Sequence, residues 1–206
     1  MRLISSASLF RKTTNIVELL LVLFSLLFVL LTISAYTDLR WGKVYNWVTI
    51  PAILVGFGIN FLYGGFSGLG DEVSRNYNLL SSFLGMALGI GILGIFFLPG
   101  ALGGGDVKLA AAIGALMGWQ FLFWVLFFGS LIGGMMAIGA AIWKGRFQKI
   151  LISSIRFLFT LRAQPEVEGE PPLTIPFGLA LVGGSFVAFF FLLSQKWFFP
   201  VLSTSV

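Results

Sequence analysis

Two aspartates, Asp38 and Asp106, have the residue type and the surroundings that chemistry in this chain would need. The sequence contains no histidine and no cysteine, which excludes a histidine-based triad, a thiol nucleophile and the usual zinc ligands. When two carboxyl groups lie close together, repulsion between their charges makes it unfavourable for both to ionise. One therefore holds a proton while the other acts as a base toward water. The pair therefore indicates hydrolysis of the aspartyl protease type, and we expect no metal and no cofactor.

Their positions set these two aspartates apart from the other six acidic residues. Asp38 ends one apolar run, and Asp106 directly follows three glycines at the end of another. The other six have solvated interpretations, in loops, in a proline-containing linker or at the outer end of an apolar run: Glu18, Asp71, Glu72, Glu166, Glu168 and Glu170. For either aspartate alone, the alternative is a helix-end residue at the level of the lipid headgroups, and spacing does not exclude it.

The composition indicates a membrane protein. Of the 206 residues, 58% are hydrophobic and only 10% are charged, whereas about a quarter of the residues in a soluble domain are charged. We predict an all-α, polytopic membrane protein with a single integral-membrane domain, residues 1–206. A spanning helix needs about 20 mainly apolar residues, which predicts about six spans, the fourth of them partial or tilted: 17–36, 47–63, 79–98, 107–119, 121–143 and 173–193.

Six spans would place the loops after the first, third and fifth spans on one side of the membrane, together with Asp38 and Asp106. That side carries eight of the 13 basic residues: Arg40, Lys43, Lys108, Lys144, Arg146, Lys149, Arg156 and Arg162. The positive-inside rule makes it cytoplasmic. The net charge of +5 therefore indicates orientation in the membrane rather than nucleic-acid binding.

Glycine, with 26 copies, has two predicted uses. Pairs at four-residue spacing let helix backbones approach closely in lipid: Gly85 and Gly89, Gly114 and Gly118, Gly129 and Gly133. Gly103, Gly104 and Gly105 instead allow a sharp turn before Asp106 and a close approach by an extended peptide. Lys108, two residues further on, either stabilises the ionised Asp106 or extends to the lipid headgroups.

Three segments together resemble a known family. Gly103 to Leu109 resembles the Gly-x-Gly-Asp signature of the prepilin peptidases, which are intramembrane aspartyl proteases also called type IV leader peptidases. Asp38 to Arg40, followed by Lys43 and Asn46, resembles the first catalytic aspartate of that family and the residues after it. Ile175-Pro176-Phe177-Gly178 resembles the start of the family's last helix. The chain has Val-Tyr before Asn46 where the family typically has Ile-Pro, so Asn46 matches less closely than the aspartates.

The resemblance implies an endopeptidase of the inner membrane of the cell. It implies that Asp38 and Asp106 are catalytic and that they cut a short basic leader from prepilins, pseudopilins or preflagellin-like proteins at the cytoplasmic face. Substrate binding is assigned by the same resemblance to Gly103, Gly104, Gly105, Lys108 and Asn46. Larger members add a segment with paired cysteines that is linked to N-methylation of the pilin. Because this sequence has no cysteine, we expect the peptidase without the N-methyltransferase.

Several alternatives stay open at the level of the sequence. Residues 147–159 predict an interfacial amphipathic helix between the fifth and sixth spans, which either rests on anionic headgroups or only sets orientation. Glu166, Glu168 and Glu170 either attract a basic leader or form a solvated linker. The rival functions are a small proton-coupled transporter that uses the same aspartates as a relay, and a noncatalytic membrane scaffold. The sequence does not define the oligomeric state.

Overall fold

The computed structural model of the chain describes residues 6–67, 76–97, 102–143, 145 and 177–194. Within these ranges the chain forms helices and no strands, which confirms the all-α prediction. The five helices of this described part are α1 (Ser6–Trp41), α2 (Asn46–Gly64), α3 (Leu79–Phe97), α4 (Gly104–Trp143) and α5 (Phe177–Ser194). Each is long and apolar enough to cross a membrane, α1 over Glu18–Trp41. The count of six spans stays a prediction. The predicted amphipathic helix at 147–159 and the glutamates at 166, 168 and 170 lie outside the described residues.

The longest helix, α4, is broken in the middle. Its 40 residues would extend about 60 Å if straight, roughly twice the thickness of the hydrocarbon layer. The break is at Gly118, whose φ of 79° and ψ of 172° are not helical. This is a backbone conformation that residues with a side chain rarely adopt. Gly118 ends the first half of α4, residues 104–117. It also lies with Gly114 against Gly85 of α3, as the four-residue spacing of the two glycines predicted.

The chain folds back at Gly118. A side chain at Gly114 would lie 2.9 Å from Leu122 Cδ2, although residues eight apart in a continuous helix are separated by about 12 Å along the axis. Both halves of α4 also lead to the first turn of α5, since Asp106 lies near Gly178 and Gly133 lies near the ring of Phe177. Asp106 in the first half of α4 and Gly133 in the second half are therefore at the same end of the bundle.

Close contacts between backbones surround the first half of α4. Gly85 of α3 meets the backbone of Gly114, and a Cβ at Gly89 would lie 2.9 Å from the carbonyl carbon of Ala110. On the α2 side, a Cβ at Gly56 would lie 2.7 Å from the carbonyl oxygen of Ala115. Residues 109–118 are consequently all buried. Small residues permit this because the hydrophobic effect does not drive helices together in lipid, where close packing does.

Asn60 of α2 is a buried polar residue that stabilises the break in α4. Its side-chain Nδ2 donates to the carbonyl oxygens of Ala115, at 3.3 Å, and Leu116, at 3.0 Å. The usual helical partners of these two carbonyls are the amides four residues later, which lie beyond Gly118. The amide of Asn60 therefore ties α2 to α4 at the point where the helical hydrogen-bond pattern is interrupted.

Candidate active site

Asp38 is placed by the packing of α1 against α5. The two helices run in opposite directions, with the rings of Phe24 and Phe189 4.7 Å apart and those of Phe28 and Phe186 6.3 Å apart. The last turn of α1 consequently meets the first turn of α5. There the backbone amide of Leu179 donates a hydrogen bond to Asp38 Oδ2 at 3.2 Å. Asp38 is only 9% exposed, which is unusual for a carboxylate.

Asp106 is placed by the turn that begins α4. Its backbone amide donates to the carbonyl oxygen of Gly103 at 3.1 Å. Its carboxylate interacts with the backbone amides of Gly103 and of Gly178, the latter from the first turn of α5. The first amides of a helix have no partner within the helix, so they are free to bind a carboxylate. The Asp106 side chain on α4 and the Asp38 side chain on α1 therefore both face the first turn of α5.

The two carboxylates meet at Gly178. A Cβ built on Gly178 would lie 2.7 Å from Asp38 Oδ2 and 3.3 Å from Asp106 Oδ1. The two charges are close enough to interact directly. The structure thus brings together at one end of the bundle the two aspartates that the sequence singles out, from helices far apart in the chain.

The arrangement of the two carboxylates is suited to acid–base chemistry. The carboxylates are held by backbone amides and by no basic side chain that the structure describes. No cluster of three or more carboxylate, histidine or cysteine ligands occurs among the described residues. Two carboxylates that interact ionise one after the other, so one can supply an acid while the other supplies a base.

The glycines before Asp106 lie against other parts of the chain. A Cβ at Gly105 would lie 3.1 Å from the backbone nitrogen of Val44, and one at Gly104 would lie 3.2 Å from the ring of Phe97. Gly103 is exposed, and a Cβ built there would lie 3.4 Å from Asp106 Oδ2. The substrate-binding role expected for the three stays a prediction. Their observed contacts bring the loop before α2 and the end of α3 close to Asp106.

Lys108 and Asn46 are also brought together. Lys108 Nζ donates to Asn46 Oδ1 at 2.8 Å, which joins the first turns of α4 and α2. Both side chains are exposed at the site end of the bundle. This contact was not among the alternatives that the sequence suggested for Lys108. A role of either residue in substrate binding stays a prediction.

The sequence model described as the type IV leader peptidase family matches residues 25–138, more than half of the chain, and this segment contains both Asp38 and Asp106. The chain belongs to the type IV leader peptidase family. The resemblance inferred from its motifs is confirmed. No solved structure matches the chain significantly.

Curated relatives in this family carry the name prepilin leader peptidase/N-methyltransferase. One from Aeromonas hydrophila is 36% identical over 117 residues, which is 55% of this chain and 38% of the relative. One from Burkholderia pseudomallei strain K96243 is 30% identical over 174 residues, 83% of this chain and 46% of the relative. The chain therefore spans less than half the length of these relatives. They give no support to the transporter alternative.

Gly178 and Leu179 are the residues of the site that sequence reasoning did not assign. The leader peptidase resemblance drew attention to residues 175–178 only as the start of a helix. Ile175 and Pro176 lie outside the described residues, and the segment matched by the family model ends well before Gly178. Gly178 and Leu179 contact the distant aspartates through backbone amides, which every residue except proline has. Apart from the small size of Gly178, their residue types therefore do not indicate these contacts.

Proposed function

We propose that this protein is an intramembrane aspartyl endopeptidase that removes the leader from type IV prepilin-like precursors. The observation that carries the proposal is the meeting of Asp38 and Asp106 at Gly178 in a chain of the leader peptidase family. The relatives are named for a prepilin substrate, and the substrate class proposed here follows that name. The proposal extends to pseudopilins and preflagellin-like proteins with a basic leader.

In the proposed reaction, one aspartate is protonated and the other is ionised. The ionised carboxylate takes a proton from a water molecule, whose oxygen attacks the carbonyl carbon of the scissile peptide bond. The protonated carboxyl donates to the carbonyl oxygen as it gains negative charge. The carbon–nitrogen bond then breaks as the first aspartate gives the proton taken from water to the leaving nitrogen, and the second aspartate takes its proton back from a hydroxyl of the intermediate. The products are a carboxyl group on the leader, which ionises in water, and a free amine on the mature protein.

The surroundings of Asp38 support action at a membrane surface. Arg40 Nη1 donates to the hydroxyl of Tyr36 at 2.8 Å, and the guanidinium carbon lies 5.3 Å from the centre of the Trp41 ring. All three side chains are exposed. Tyr and Trp with a basic residue are typical of the boundary between lipid and water. We propose that this end of the bundle lies at the cytoplasmic face, where a substrate's apolar segment would rest against the bundle and its leader junction would enter beside the aspartates.

The decisive experiment replaces each aspartate by its neutral isostere. Membranes containing only this protein and a prepilin are compared for the wild type, Asp38→Asn, Asp106→Asn and the control Glu18→Gln. Glu18 is an exposed carboxylate on the same helix as Asp38 and far from the site. Both aspartate variants should lose cleavage, by at least about a thousandfold, while the control cleaves normally. Cleavage that survives in either aspartate variant would refute the proposal.

The same assay addresses the second activity in the relatives' name. Our proposal concerns peptide cleavage, and the expected lack of N-methyltransferase activity stays a prediction. Mass spectrometry of the mature pilin, with the methyl donor supplied, should find an unmodified amino terminus. A methylated product would contradict this expectation without affecting the assignment of the peptidase.

A further inference from the structure

Gly178 has surroundings that differ from those of the glycines between helices. The three atoms nearest to a Cβ at this position all belong to the two aspartates: Asp38 Oδ2 at 2.7 Å, Asp38 Cγ at 3.1 Å and Asp106 Oδ1 at 3.3 Å. At Gly85, Gly89 and Gly56 the nearest atoms are instead backbone atoms of a neighbouring helix. The missing side chain at Gly178 therefore makes room for the carboxylates and not for another helix.

The backbone around Gly178 also contacts both aspartates. The amide of Gly178 faces the Asp106 carboxylate, and the next amide, of Leu179, donates to Asp38 Oδ2 at 3.2 Å. Successive amides at the start of a helix point the same way and have no acceptor within the helix. Each carboxylate thus interacts with a different backbone amide, and the two amides belong to consecutive residues at the start of α5.

We propose that Gly178 is a positioning residue, which sets the distance between the two carboxylates by offering them a backbone without a side chain. This inference rests on the proposed function, because it gives the pair of aspartates a catalytic purpose. A methyl group at this position would lie too close to Asp38 Oδ2, so the Asp38 carboxylate would have to turn away. It would then lose the amide of Leu179 and its place beside Asp106.

The contacts of Gly178 separate this role from ordinary packing. An added methyl group meets ends of side chains and no backbone of another helix within the three closest contacts. The helices consequently need not move apart when the site is disturbed. The matched control is Gly183 on the same helix, where a Cβ would lie 3.2 Å from Ile132 Cδ1, the far end of a flexible side chain.

The first test compares cleavage by Gly178→Ala and Gly183→Ala. Displacing a catalytic group by about 1 Å can lower the rate by about 100-fold, so we expect Gly178→Ala to lower kcat by about that factor with little change in KM. Gly183→Ala should cleave as the wild type does. Normal kcat in Gly178→Ala would overturn the inference, and so would an equal loss in both variants.

The second test measures the contact itself without using activity. In the wild-type background, Gly178→Ala should lower the melting temperature because the methyl group and the Asp38 carboxylate compete for space. In an Asp38→Ala background the same change should cost nothing, since the carboxylate is gone. If Gly178→Ala is equally destabilising in both backgrounds, or prevents folding in both, the glycine serves packing and the inference is wrong.

The two tests also distinguish failure of this inference from failure of the proposed function. If Asp38→Asn still cleaves prepilin, the function is wrong whatever the melting temperatures show. If the aspartates prove essential while the melting temperatures show no coupling between Gly178 and Asp38, the function stands and the positioning role falls.

Discussion

The first half of α4 meets its neighbours in two very different ways. In the middle of the bundle, the backbone of Gly114 meets Gly85 of α3, and the backbone of Ala110 meets Gly89 of α3. At the site end, Asp106 contacts the start of α5 through a carboxylate and backbone amides. Contacts between backbones in the middle fix how closely the helices approach, whereas the few polar contacts at the end fix where two side chains lie. Substitutions in the middle should therefore break the fold, and substitutions at the end should break the chemistry.

The largest loss of stability is expected from Gly85→Ala. The added methyl group would meet the backbone of Gly114 and would lie 2.9 Å from the carbonyl carbon of Gly118. Since neither can move without separating α3 from α4, we expect a loss of about 3 kcal/mol and little folded protein. The yield and melting temperature of protein purified in detergent measure this.

Gly91→Ala is the matched control for that change. Gly91 lies on the same helix, and no heavy atom of any other described segment lies within 4 Å of its Cβ position. We expect a melting temperature close to that of the wild type. If Gly85→Ala proves as harmless as Gly91→Ala, the close contact between α3 and α4 does not limit stability, and the comparison between the middle and the end loses its basis.

The second prediction concerns the stability of Asp38→Asn, whose cleavage should be lost. The amide side chain has nearly the shape of the carboxylate, and its oxygen can still accept from Leu179. We expect the melting temperature to stay within about 2 °C of the wild type, since stability should change by less than about 0.5 kcal/mol. If the melting temperature fell as far as in Gly85→Ala, the Asp38 carboxylate would be needed for the stability of the fold as well as for the chemistry.

The third prediction concerns a polar residue in the middle of the bundle. Asn60→Leu removes two hydrogen bonds to the carbonyls of Ala115 and Leu116, and interhelical hydrogen bonds in membranes contribute about 1 kcal/mol. We expect the melting temperature to fall while kcat of the folded enzyme stays unchanged. Loss of kcat at normal stability would place Asn60 in the chemistry and contradict the division between the two regions.

The sequence predicts which two aspartates meet better than it predicts the path of the chain. Asp38 and Asp106 each lie where an apolar run ends, and the lengths of such runs are readable because the bilayer fixes them. Gly118 is different, because a glycine that breaks a helix and one that packs against a neighbour look the same in sequence. The structure shows that Gly118 breaks the helix, by its φ of 79° and by the closeness of Gly114 to Leu122.

Contacts between distant segments account for what the sequence did not predict. The role of Gly178 depends on α1 and α4 reaching it from far along the chain, and the bond between Lys108 and Asn46 joins residues 62 positions apart. Composition and periodicity describe neighbours in the sequence, so they define helices and their ends. They do not tell which side chain of one helix end meets which atom of another.

Small effects on both stability and cleavage are expected from breaking the hydrogen bond between Lys108 and Asn46. This hydrogen bond is exposed, and exposed polar pairs typically contribute less than about 1 kcal/mol. Lys108→Met and Asn46→Ala should each lower the melting temperature slightly and cleavage by no more than a few-fold. If the two residues act only through each other, the double variant is no worse than either single variant. Additive losses in KM would show instead that each residue contacts the substrate separately, which would extend the site beyond the aspartates and the first turn of α5.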